Sequence, residues 1–173
     1  MADDGLYDVI LVDAYQDITI PFQMSSKEFF SLVRDHLKDG GVMVVNMNMH
    51  SDGEGSINEY LTDTICSVFS SVYTADVPYT TNRELFACTS GDISERLAGA
   101  VYDDASLQQL MRRVSNALVP CEGGSHILTD DKAPVELLGM KMIDGLIADE
   151  VSYYKKVYEN EGLDGILSDF GIG

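Results

Sequence analysis

A chain of 173 residues, 45% hydrophobic and 23% charged, is long and apolar enough for one globular domain with a core. No apolar run reaches the roughly 18 residues a membrane helix needs, and Met1-Ala2-Asp3-Asp4-Gly5 lacks the basic and apolar regions of a signal peptide, so a cytoplasmic protein is expected. The net charge of −18 argues against nucleic acid and anionic membranes as partners; it either attracts a cationic substrate or serves solubility.

Tyr7 to Asp13 has a continuous apolar, β-branched centre and ends in a carboxylate. Such runs are parallel strands buried on both faces, and ligands of open α/β sheets bind beyond the C-terminal ends of the strands. Asp13 therefore stands where chemistry is expected. After a loop containing Pro21, Ser25 or Ser26 is expected to cap a helix over 27–38, with Ser25 and Glu28 as a capping box. Phe29, Phe30, Leu32, Val33 and Leu37 form its apolar stripe, and Gly40-Gly41 is expected to stop it. Val42 to Val45 or beyond is the next strand, which completes a β-α-β unit. Residues 49–55 read as a polar loop. Ser56 then opens a helix whose apolar face carries Ile57, Tyr60, Leu61, Ile65, Val68 and Phe69.

Residues 71–77 and 84–90 read as strands whose short connection makes them antiparallel. Residues 92–101 and 104–118 are helical by pattern, and 121–131 form a Gly-rich, acidic loop. Pro134 suits the first turn of a long helix to about Glu159, with Leu137, Leu138, Met142, Ile143 and Ile147 toward the core. Past Gly162 a loose tail is expected, on which Leu163, Ile166, Leu167 and Phe170 are able to dock. The cysteines are far apart and form no zinc pattern; Cys66 and Cys88 read as core residues and Cys121 as a loop thiol. His50, Asp52 and Glu54 make no complete metal site, and His36 and His126 read as surface or packing residues.

Three stretches together carry a resemblance: Tyr7-Asp8-Val9-Ile10-Leu11-Val12-Asp13-Ala14-Tyr15, then Leu37-Lys38-Asp39-Gly40-Gly41-Val42-Met43-Val44-Val45-Asn46, then Leu128-Thr129-Asp130-Asp131-Lys132-Ala133-Pro134-Val135-Glu136. In this order and spacing they resemble the second half of a spermidine synthase, the aminopropyltransferase branch of the class I methyltransferase-like fold. The resemblance implies a partial Rossmann-like α/β sheet with parallel strands, a final antiparallel strand, flanking helices and a helical C-terminal region. It implies residues 1–150 as the C-terminal portion of a nucleotide-binding domain, with 151–173 as helix end and tail. The family's upstream strands and Gly-rich cofactor turn have no counterpart here.

The implied chemistry is transfer of an aminopropyl group from decarboxylated S-adenosylmethionine to a polyamine, with no tightly bound cofactor and no metal. Asp13 would be the base. Tyr15, Asp17, Tyr79, Asp130 and Asp131 would bind the amine, and Ala14 and Pro21 would lie at the co-substrate. Each has a plainer reading: an Asx turn for Asp13, packing for the tyrosines, helix-entry ordering for Asp130 and Asp131. Two acids three apart after this strand are common in the family; here the second, Asp17, is four after Asp13. A methyltransferase using S-adenosylmethionine, or a non-catalytic subunit, are the alternatives. The free edge expected at 8–13 points to a homodimer or a complex with a separate N-terminal half.

Overall fold

The computed structural model describes residues 7–14, 20–47 and 54–169. Strand β1 (Tyr7–Val12) leads through a short 3-10 turn at Phe22–Met24 into helix α1 (Lys27–His36) and strand β2 (Leu37–Met47). Helix α2 (Ile57–Cys66), strand β3 (Ser71–Asp76) and strand β4 (Arg83–Cys88) follow. Helices α3 (Ile93–Gly99) and α4 (Ala105–Ala117), the two-residue strand β5 (Val119–Pro120) and helix α5 (Val135–Asp169) complete the order.

The strands form one sheet in the order β1-β2-β4-β3-β5. β1 and β2 are parallel, and β4 is antiparallel to both β2 and β3. β1, β2 and β3 thus share one direction, and β4 opposes them from between β2 and β3. This is the α/β class expected, with its antiparallel strand and flanking helices. β5 is an addition: two residues carry no strand pattern of their own, and Val119 and Pro120 are recruited by pairing with Thr74 and Tyr73.

Strand alternation divides the sheet into two faces. Met43, Val45 and Met47 of β2 and Leu85 and Ala87 of β4 are buried together with Phe30, Leu61 and Ile65 of the helices, and these make the core. The opposite face carries Val9 and Leu11 of β1, Val42, Val44 and Asn46 of β2, and Glu84 and Phe86 of β4 in register. α3 packs on β3 and β4, and α4 on β3. The β1 end of that face is open: Leu11 is 72% exposed.

Local physics departs from the sequence pattern in several places. α1 ends at His36, not at the glycines, because Leu37 turns extended to bury its side chain at the start of β2. Gly40-Gly41 lie inside β2, where the register jumps from Tyr7↔Leu37 to Val9↔Val42. Gly40 has φ +72, and a Cβ on Gly41 would sit 2.9 Å from the Lys38 carbonyl oxygen, so the bulge needs both glycines. The N-cap is Ser26, whose hydroxyl accepts from the Phe29 N–H at 3.2 Å; the Ser25 hydroxyl instead donates to the Phe22 carbonyl. Glu28 does not close a capping box but accepts from the Asp130 N–H at 3.1 Å.

Leu32 faces outward, into a groove beside β1, rather than into the core. Ile147 is exposed because α5 outruns the sheet: Val135 and Leu138 bury its first turn, and the helix then continues for about 40 Å before Gly162. Gly162 (φ 68°, ψ −157°) breaks the helix, but helical structure resumes to Asp169, with Leu163 and Leu167 exposed rather than docked. The side chains of Leu137, Met142 and Ile143, and all of Phe170, lie outside the described residues.

Candidate functional site

The ends of β1, β2 and β3, the start of β4 and the start of α2 all meet one rim of the sheet, as the pairing registers require. Asp13 follows β1 directly on this rim. Its Oδ1 accepts a hydrogen bond from Asn46 Nδ2 at 3.1 Å. Asn46 is paired in register with Glu84 across β2 and β4, so the two side chains leave the same face. Burial, followed by the negative charge of Asp13, pushes the Glu84 carboxyl above its ordinary range. Asn46 Oδ1 is buried and accepts no hydrogen bond. The site thus holds two carboxylates, one hydrogen-bonded by the Asn46 amide and the other paired in register with Asn46 and raised in pKa.

The other residues singled out from the sequence fall as follows. Tyr15 and Asp17, with His50 and Asp52, lie outside the described residues. Ala14 packs against the core, and the Pro21 carbonyl accepts from the Met24 N–H at 2.8 Å to open the turn before α1. Tyr79 is in the β3–β4 connection, on the same rim, with φ 65° and its ring fully in solvent. Asp130 and Asp131 form the tip of a tight turn closed by the Thr129–Lys132 bridge. Asp130 accepts from the Ser26 hydroxyl, and the Leu128 carbonyl accepts from the Lys27 N–H at 2.9 Å. The Thr-Asp-Asp turn is therefore fastened to the N-terminus of α1, the helix that follows Asp13, and not to the entry of α5.

A second concavity of about 550 Å³ lies on the α2 side of the rim, lined by Glu54, Asn58, Glu59, Thr74, Arg83 and Glu122 among others. Beneath it is Asp63, a buried carboxylate on α2. Asp63 accepts from the backbone N–H groups of Gly124 (2.8 Å) and His126 (2.9 Å), and His126 Nδ1 stands 3.3 Å from its Oδ2. The His126 ring stacks on Tyr60 at 4.6 Å. This cluster is a clamp on the 121–131 loop. Burial, with Cys121 and Asp63 adding to it, pushes the Cys66 thiol up to about 12, and burial also raises Cys121. Neither thiol is prepared as a nucleophile. Among the described residues no group of His, Cys, Asp and Glu is arranged to hold a metal ion.

Asn46, Glu84 and Asp63 are the residues that sequence reading passes over. Asn46 did leave a signal: a polar side chain closing the apolar run Met43-Val44-Val45. Glu84 left none, because its meaning depends on the register of β4 against β2.

No protein-family model matches the chain. The chain is 54% identical over 185 aligned residues to a probable polyamine aminopropyl transferase of Bifidobacterium longum (strain NCC 2705). The match takes in 96% of this chain and 42% of that protein, so the chain spans less than half the length of its relative. Among solved structures, a probable spermidine synthase from Corynebacterium glutamicum ATCC 13032 aligns at 21% identity and TM-score 0.46, over 72% of this chain and 50% of that one. A spermidine synthase in complex with the transition state analogue AdoDATO aligns at 20% identity and TM-score 0.47, over 68% and 43%.

Proposed function

From a chain that is spermidine synthase-like, we infer that the Asp13 rim is the amine-facing side of an aminopropyltransferase site. The observation that carries this reading is the Asp13 carboxylate, set just beyond a parallel strand and hydrogen-bonded by Asn46. A polyamine is mostly protonated at neutral pH, and only its neutral nitrogen is a nucleophile. A carboxylate on the rim binds the ammonium, then takes the proton as the nitrogen attacks the carbon beside the sulfonium of decarboxylated S-adenosylmethionine. The new C–N bond forms, the C–S bond breaks, and the pair of electrons leaves on sulfur as the neutral thioether.

The described residues have no Gly-rich turn joining a strand to a helix of the kind that cradles a nucleotide. The reading therefore assigns to this chain the amine side, with co-substrate grip supplied by other elements. Calorimetric titration with decarboxylated S-adenosylmethionine, S-adenosylmethionine and methylthioadenosine, with and without putrescine, tests it. The expected result is tighter putrescine binding in the presence of the decarboxylated compound than of S-adenosylmethionine. Preference for S-adenosylmethionine with indifference to putrescine would move the chain to the methyltransferase alternative.

The open edge of β1 favours association with another chain as part of this reading. Val9 and Leu11 are exposed, and Leu32 and His36 of α1 line an apolar groove beside the strand. A second copy paired through β1 is the expected state of the purified chain. Light scattering should report a dimer, and Val9→Lys with Leu11→Lys should shift it to monomer. A monodisperse wild-type monomer ends that part of the reading.

A further inference from the structure

Asp13 just past β1, Asn46 of β2 and Glu84 of β4 are distant in sequence, yet they meet at one point of the rim. An Asn side chain has two donors and one carbonyl acceptor. Here one donor is spent on Asp13, and the carbonyl oxygen is enclosed with nothing donating to it. Buried acceptors are nearly always satisfied, so a donor is called for. The cross-strand neighbour able to become one is Glu84, whose carboxyl has an O–H when protonated.

We propose that Asn46 and Glu84 are positioning residues for Asp13, the Asn46 amide holding the Asp13 carboxylate and the acid form of Glu84 supplying the donor that the amide oxygen lacks. The chain of contacts runs Glu84 O–H to Asn46 oxygen, then Asn46 N–H to Asp13 oxygen. It fixes which way round the amide sits, and a reversed amide would aim its oxygen at the Asp13 carboxylate and repel it. The surroundings raise the Glu84 pKa, which moves it in the direction of that form. Glu84 is partly desolvated and faces the Asp13 charge. β3 sets Ala75 opposite it, and its neighbour Arg83 is engaged by Asp76 at 2.6 Å. No described cation is therefore paired with Glu84 by a salt bridge.

The inference rests on the reading of Asp13 as the base, but its first test does not. In the isotopically labelled chain, the Asn46 side-chain amide signals should move with pH at the same midpoint as the Glu84 carboxyl carbon, above that of free glutamate. Asp13→Asn should lower that midpoint, because one of the two causes of the rise is removed. Glu84→Gln, a permanent neutral donor, should make the Asn46 signals flat through that range, and Glu84→Ala should leave the amide averaging between orientations. Asn46 signals indifferent to both substitutions, with the backbone spectrum intact, overturn the proposal. In the assembly that turns over, Glu84→Ala should lower kcat roughly tenfold with little change in KM, and Glu84→Gln should recover most of the loss. If Asn46 responds as stated but Asp13→Asn leaves turnover unchanged, the hydrogen-bonded chain stands and the functional reading alone falls.

Discussion

On the proposed function, Asp13→Asn is expected to lower aminopropyl transfer by about a hundredfold to ten-thousandfold, the span typical of losing a general base. Asparagine has the shape of aspartate, and its carbonyl oxygen is still able to accept from Asn46 Nδ2 at the place where Asp13 Oδ1 does at 3.1 Å. What it lacks is the charge that binds an ammonium and the basicity that takes its proton. The fold should tolerate the change, because the carboxylate also raises Glu84 by repulsion, and that repulsion disappears with it. The expected pattern is unchanged thermal unfolding, a large fall in kcat and weaker amine binding, measured by methylthioadenosine release in the assembly competent for turnover. Transfer within about threefold of wild type would remove Asp13 from the mechanism.

Asp63→Ala should cost about 3 kcal/mol of unfolding free energy. The loss comes from a short list of identifiable groups. Two backbone N–H donors, of Gly124 and His126, would face a space left by the carboxylate, and His126 Nδ1 would lose its neighbour at 3.3 Å. An orphaned buried donor costs roughly 1–3 kcal/mol, and because Gly124 is exposed and His126 half-buried each falls toward the lower end. The loop has no slack to close the gap by itself: its adjacent Thr64 hydroxyl accepts from the Leu128 N–H at 2.9 Å, pinning the next turn in place. Asp63→Asn should lose less, since its one oxygen still satisfies one N–H. Urea unfolding reads the difference directly, and a loss under about 1 kcal/mol would show that the loop is held by its apolar contacts alone.

The parallel unit at the start of the chain is legible because its residues act locally. Tyr7 to Val12 is a strand by composition, but its apolar run reads as buried on both faces whereas Tyr7, Val9 and Leu11 are exposed, because burial depends on what lies beside the strand; the α1 stripe follows helical spacing, and the short 77–82 connection forces β3 and β4 to be antiparallel. Asp13 is legible for the same reason, since it ends a strand. Other features depend on what lies far off in sequence. Leu32 has the spacing of a core residue, but among the described residues no further strand lies beside the β1 surface it meets. Gly40-Gly41 look like a helix stop because a local pattern does not show that Leu37 will dock into the sheet first. The partners of Asp130 on α1 are about a hundred residues away, and Glu84 acquires its meaning only when β4 slides into register with β2.

The place of β4 has a kinetic consequence. β3 and β4 are joined by a short turn, so this hairpin closes over little chain entropy. β1 and β2 likewise assemble around α1 as neighbours in sequence. The seam between them, β2 against β4, pairs Val42 with Cys88 across the intervening α2 and β3 and must wait until both halves exist. Pairing along that seam is then the step expected to be slowest on the route to the native state, and substitutions at Val42 or Cys88 should slow refolding less than they speed unfolding if it forms last. Asp13 and Asn46 lie on one side of that seam and Glu84 on the other, so the site comes into being in the step that joins them.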